Sequence, residues 1–200
     1  KFEFDSQPGY QKMNKENKLV PGLPSGFEDR WDKKLLLKKK LLKAIENNFV
    51  KFGAEALETP SFEISENIGS FLAEDDSNPM SDVFSFKDGD KNITLRYDLS
   101  SPLARFYAQN NQELPSIFKR YQIQNVFRNE KAGNGRYREF MQADFDIVGN
   151  VDPAQANAEL CNVISSTLSD CGLNKDQFTI NVSNRKIVQG LINELKISEE

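Results

Sequence analysis

Arg138-Glu139-Phe140-Met141-Gln142-Ala143-Asp144-Phe145-Asp146-Ile147-Val148 is the stretch that decides how this chain folds. Its residue types alternate with the period of two that a pleated strand requires. Arg138, Phe140, Gln142, Asp144 and Asp146 fall on one face; Glu139, Met141, Ala143, Phe145 and Ile147 fall on the other. The second face is mainly apolar and is expected to pack on a core. The first gathers a cation, a large ring, an amide and two carboxylates. Polar faces of antiparallel strands are usually just wet, but this mixture suits the floor of a site for a polar ligand. Residues 119–128 read as a second strand, joined to the first by the loop Asn129–Tyr137.

Working outward, Pro21, Gly22, Pro24, Ser25 and Gly26 make 14–29 an extended lead-in. Trp31, Leu35, Leu42, Ile45, Phe49 and Phe52 recur at helical spacing over 30–52, and Gly53 is placed to stop that helix. The many lysines along it read as a mostly solvated face. A short extended run, 54–59, ends at Pro60, and a brief helix is expected over 65–72. Residues 75–79 read as a loop. Val83–Phe86 and Ile93–Tyr97 flank an Asp-Gly turn and predict a hairpin. Ser100-Ser101-Pro102 opens a helix to about Asn110, with serine available as its cap. Asp152-Pro153 opens another to about Asp170, which Gly172 stops. A strand over 178–182 and a helix over 184–196 complete the reading. Helices with antiparallel strands place the chain in the α+β class.

Two hundred residues, 38% hydrophobic, 28% charged and 10% aromatic, can bury a core without disulfide or structural metal. The chain has no histidine. Within these residues that excludes a Ser-His-Asp or Cys-His nucleophilic site, a histidine general base and a histidine-liganded metal. Cys161 and Cys171, ten apart, fit no common zinc spacing and are expected to be reduced, as in a cytosolic protein; no protein-held metal site is expected. The net charge of −4 argues against a chain built only to coat nucleic acid. No stretch approaches a membrane span, and the expected location is cytoplasmic. Residues 1–20 read as an N-terminal extension, with disorder one option and Met13 one candidate start.

Arginine is unevenly spread. Six of the eight, Arg96, Arg105, Arg120, Arg128, Arg136 and Arg138, lie between Lys91 and Arg138, alongside three of the eighteen lysines. Arginine offers a planar fork that grips phosphate or carboxylate in a bidentate way, whereas lysine is a point charge. The cluster therefore points to recognition of such groups. Neither glycine-rich phosphate cradle is present, so a nucleotide must be held by side chains. Arg128, Glu130, Arg136, Arg138 and Phe140 are suited to hold one, with arginines against phosphates, the ring against a base, and Glu130 on an exocyclic amine, or a carboxylate on Mg²⁺. Such a site works by positioning and charge stabilisation, the physics of phosphoryl or nucleotidyl transfer.

Phe127-Arg128-Asn129-Glu130, then Gly135-Arg136-Tyr137-Arg138-Glu139-Phe140-Met141-Gln142 and Asp146, resembles motif 2 of class II aminoacyl-tRNA synthetases, in the form found in the histidyl-tRNA synthetase family. Leu95–Arg105 resembles that family's amino-group segment, and Leu23–Asp29 its N-terminal signature. The helix 30–52 leading to Glu58-Thr59-Pro60 resembles motif 1. The resemblance implies a class II synthetase-like antiparallel sheet flanked by helices, and a homodimer built through the motif 1 helix and strand. It implies activation of histidine by ATP and Mg²⁺ to histidyl-adenylate and transfer to tRNA(His). By position, Arg128 meets the α-phosphate and acts catalytically, Glu130 the adenine end, Arg136 the outer phosphates, and Phe140 the base; Arg138 joins them on the nucleotide. Asp98 and Ser100 meet the amino group of histidine, Gln142 its carboxylate region, and Asp146 its imidazole. The family often has glutamate where Asp98 and Asp146 stand, a longer reach. Residues 21–200 then correspond to the N-terminal part of a catalytic domain, motif 3 and an anticodon-binding domain lying outside these residues. These 200 residues alone are expected not to complete adenylation at a normal rate. The other reading is an inactive paralog, a histidine-binding regulatory subunit of ATP phosphoribosyltransferase, in which the ATP arginines are expected to erode.

Overall fold

The computed structural model describes residues 21–68 and 83–195. The chain order is α1 (Asp32–Lys51), β1 (Glu55–Ala56), β2 (Phe62–Ile64), a 3₁₀ turn (Ser65–Ile68), β3 (Ser85–Asp88), β4 (Lys91–Leu95), α2 (Ser100–Asn110), β5 (Ile117–Phe127), β6 (Glu139–Gly149), α3 (Pro153–Asp170) and α4 (Arg185–Glu194). The N-terminal extension, Met13 and the expected loop 75–79 lie outside the described residues, as do 69–72 of the brief helix and the end of the last one.

β5 and β6 form the long antiparallel pair expected from the alternation, in register from Ile117↔Gly149 to Phe127↔Glu139. β1 adds to the other edge of β5, and it does so in parallel, Glu55 opposite Arg120 and Ala56 opposite Tyr121. The sheet is thus not purely antiparallel. The physical reason is the direction in which α1 delivers the chain: Gly53, at φ +78°, turns it back along the sheet edge. A second sheet, in the order β2-β4-β3, is antiparallel throughout. Its β3–β4 turn is the two residues Gly89-Asp90, with Gly89 at φ +59°.

α1 and α3 cover one face of the main sheet. Phe49 meets Tyr121 and Phe145 with ring centroids 5.9 and 5.4 Å apart, and Val163 and Ala54 close the cluster. These are the odd-numbered strand positions, as the alternation predicts, although Ala143 is exposed. Asn48, only 1% exposed, links the two helices. It donates to Asp170 Oδ2 at 2.7 Å and accepts from Ser166 Oγ at 2.6 Å. Asp152 caps α3 through the Ala154 N–H (2.9 Å), with Pro153 in the first turn.

α2 lies on the opposite face, where Leu99, Leu103 and Phe118 are buried. Its cap differs from expectation: no serine side chain caps it, and the Asp98 carboxylate accepts from Ser101 N–H at 3.1 Å. A carboxylate on this N-terminus is favoured by the helix dipole, where a hydroxyl is not. The expected strand over 178–182 is not formed; these residues are irregular and largely exposed. Among the described residues they pair with no sheet edge, and a strand cannot satisfy its backbone alone. No helix among the described residues is long and apolar enough to cross a membrane.

Candidate functional site

The face of the main sheet turned toward α2 carries Arg120, Gln122, Gln124 and Val126 from β5 opposite Asp146, Asp144, Gln142 and Phe140 from β6. It is not a wet face: Arg120, Gln122 and Val126 have no exposed surface. Phe140 and Asp146 are six residues apart on one strand, so about 20 Å separates the two ends of this floor.

The first end is built by the β5–β6 connection. Arg128 N–H bonds to Arg138 O at 2.9 Å, and Gly133 and Arg136 exchange backbone hydrogen bonds (3.1 and 3.0 Å) farther out, so the loop is a second, narrower hairpin. That geometry brings Glu130 and Arg136 into an ion pair. Glu130 Oε1 also accepts from Tyr97 Oη at 3.1 Å. The Arg128 guanidinium is sandwiched, 4.3 Å from the Tyr97 ring centroid and 5.1 Å from that of Phe140. Two aromatic faces hold a cation without neutralising it. Arg128, Glu130, Gly135, Arg136, Tyr137 and Phe140 line a pocket of about 230 Å³. Arg138 stands apart from this group. Its guanidinium lies 4.6 Å from the Phe84 ring centroid, and its backbone N–H bonds to Gly26 O at 2.8 Å. Gly26, at φ +83°, leaves the space Arg138 crosses: a Cβ there would sit 2.6 Å from Arg138 Cγ.

The second end lies where the lead-in to α2 meets the sheet. Gln142 keeps a buried Oε1 with no hydrogen-bond partner among the described residues. Asp146 approaches Arg120, its Oδ2 2.8 Å from Nη2. The alignment is too poor for a hydrogen bond, so that contact is charge against charge. Arg120 Nη2 also donates to Leu99 O at 3.1 Å. Burial pushes the Asp144 and Asp146 carboxyls above the usual range, and Arg120 opposes this. Asp146 and Asp98 push Asp144 further up. Of the four residues expected at the amino-acid end, Asp98 and Asp146 share the field of Arg120; Ser100 is exposed at the start of α2, and Gln142 lies four residues along β6 from Asp146, on the same face.

Not every arginine of the sequence cluster serves a site. Arg105 forms a bidentate pair with the buried Glu63, both contacts 2.7 Å, tying α2 to β2. Arg96, 3% exposed, donates to Asn125 O, Thr59 O and Gln124 Oε1 at 2.7–3.0 Å. A guanidinium's five donors can close loops as readily as hold phosphate, and the two uses look alike in sequence. Arg120 was visible as part of the cluster, but only strand register reveals that it opposes Asp146.

Among the described residues no group of three or more acids or cysteines is disposed to hold a metal ion. Glu130 is the carboxylate that lines the arginine pocket. That suits magnesium, which keeps most of its waters and arrives on phosphates with one or two protein carboxylates.

In sequence and in fold the chain is similar to known proteins. The histidine–tRNA ligase of Pelagibacter ubique (strain HTCC1062) is 80% identical over 188 residues, which cover 94% of this chain and 40% of that protein. That of Methylocella silvestris (strain DSM 15510) is 42% identical over 179 residues, 89% of this chain and 35% of that one. The chain thus spans well under half the length of these curated relatives. The crystal structure of histidyl-tRNA synthetase from Nostoc sp. PCC 7120 superposes with TM-score 0.75 at 28% identity, covering 89% of this chain and 40% of that one. The family model described as histidyl-tRNA synthetase matches residues 26–200, and by that match and those identities the chain belongs to the histidyl-tRNA synthetase family.

Proposed function

We propose that this chain is the N-terminal part, over 21–200, of the catalytic domain of a cytoplasmic histidine–tRNA ligase, which activates histidine with ATP to histidyl-adenylate and transfers it to tRNA(His). The observation that carries this reading is the single sheet face with an arginine–aromatic pocket at one end and a carboxylate–amide cluster at the other. In the first step the histidine carboxylate attacks the ATP α-phosphorus and pyrophosphate leaves. The attacking oxygen is already an anion, so no general base is needed and the absence of histidine costs nothing.

Arg128, held by Tyr97 and Phe140, is the catalytic cation, meeting the charge that builds on the α-phosphate. The Phe140 ring also serves the base. Arg136 turns from Glu130 to the outer phosphates, freeing Glu130 for the adenine end. Magnesium arriving on the phosphates would supply charge neutralisation there. Asp98 and Ser100 take the ammonium group, and the Gln142 amide, whose buried Oε1 has no partner among the described residues, meets the carboxylate region. Asp146 selects the imidazole by accepting its N–H, which an isosteric apolar side chain lacks. The expected homodimer forms through α1 and the residues that follow it.

The test is histidine-dependent ATP–pyrophosphate exchange by the full-length native protein, with calorimetry for histidine and for ATP-Mg. Arg128→Ala is expected to lower exchange by about 10²–10³-fold while leaving thermal unfolding unchanged. Histidine binding without ATP binding, and no exchange, would support the regulatory-subunit reading instead.

A further inference from the structure

Arg120 has no exposed surface, yet it is poorly satisfied. Its Nη2 serves Leu99 O and approaches Asp146, while Nε and Nη1 have no hydrogen-bond partner among the described residues. A guanidinium buried only to close a structure uses its donors, as Arg96 does with the carbonyls of Thr59 and Asn125. Arg120 is instead surrounded by charge. Asp146, Asp144 and Asp98 all favour its cationic form against the cost of burial. Three carboxylates face one cation, and two of the acids are those assigned above to histidine.

The geometry points to Arg120 as the positioning residue of the amino-acid end, holding Asp146 by one oxygen while fixing the Leu99 carbonyl between Asp98 and Ser100. This rests on the proposed function. Asp146 Oδ2 is buried against Arg120, whereas the side chain as a whole is 34% exposed. Oδ1 is therefore the oxygen left for an imidazole N–H. One guanidinium in this way ties the acid on β6 to the backbone that presents the acid and hydroxyl before α2. An apolar residue at this position would leave Leu99 O buried without this donor and Asp146 Oδ2 buried without the charge it faces. It would also leave three carboxylates facing one another, so Asp146 would hold its proton to higher pH.

The experiment measures KM for histidine and for ATP in pyrophosphate exchange by the full-length protein, for wild type, Arg120→Met and Arg120→Lys. Wild-type exchange dependent on histidine must be seen first; its absence overturns the proposed function, whatever the variants do. Arg120→Met is expected to raise the histidine KM by at least about tenfold, with the ATP KM within about twofold. The acidic limb of kcat/KM for histidine moves to higher pH, because Asp146, with Asp144 and Asp98 nearby, loses the cation it faces. Arg120→Lys restores part of both effects. An unchanged histidine KM and pH limb, or equal rises in both KM values, overturns the assignment of Arg120 alone. If Arg120→Met does not fold, a cycle of Arg120→Lys with Asp146→Asn decides. The lysine change adds little to the histidine KM once Asp146 is neutral; full additivity overturns the assignment.

Discussion

Arg128 shows how one side chain can be fixed and still left charged. Tyr97 and Phe140 restrict its guanidinium by their faces, so an anion meets an ordered cation without first displacing a carboxylate. Arg136, in contrast, is paired with Glu130 and mostly exposed; salt screens such a pair, and it parts easily. Asp144 is the opposite case, a carboxylate in an unfavourable place. Burial and its neighbours Asp146 and Asp98 raise its proton affinity, and Arg120 only partly offsets them. A raised carboxyl binds more protons folded than unfolded, so its contribution is fully present at low pH and is lost as pH rises past the folded value. Asp144→Asn is therefore expected to raise the melting temperature by a few degrees at neutral pH, and the gain should vanish as pH falls into the ordinary carboxylate range. A gain that persists unchanged at low pH would contradict this origin.

Between elements, the β5–β6 hairpin does most to place the site, because its register sets which side chains stand opposite one another. Gly149 closes that hairpin at φ +140°, where a Cβ would lie 2.2 Å from Ser116 O, so only glycine fits. On the far face the α1–α3 packing depends on Asn48, whose amide satisfies groups on both helices. Asn48→Ala would leave Ser166 and Asp170 without that partner in a half-buried seam. The expected cost is roughly 1–3 kcal/mol in urea unfolding, with a smaller loss for Ser166→Ala because Asn48 then keeps its bond to Asp170. Equal losses would mean that the Asp170 contact contributes nothing. Sequence periodicity found α1, α2, α3, α4 and the hairpins within a few residues, because each carries its own pattern and stop signals. It misplaced the strand over 178–182, since an apolar run becomes a strand only where an edge accepts its hydrogen bonds.

For the molecule as a whole, α1 leaves Leu36 and Leu37 64% and 58% exposed, with Leu41 and Val50 beyond them. Apolar side chains grouped on one helix are the surface a second copy would cover, consistent with the dimer proposed above. In the full-length protein, Leu37→Glu is expected to shift sedimentation from dimer toward monomer at micromolar concentration; an unmoved dimer would place the interface elsewhere. What the sequence determined by itself was local: the alternation of 138–148, the cap of α3 and the helix stops, the arginine-rich stretch and the order of the motifs. These follow from backbone geometry and chain spacing, which neighbours in sequence suffice to specify. Only the tertiary structure decided which arginines close loops and which stay available, that Asp98 caps α2, and that Arg120 stands under Asp146. Those facts depend on strand register and on what lies across the sheet. Burial is what makes the difference: a guanidinium in water is indifferent to its neighbours, whereas one with no exposed surface is defined by them.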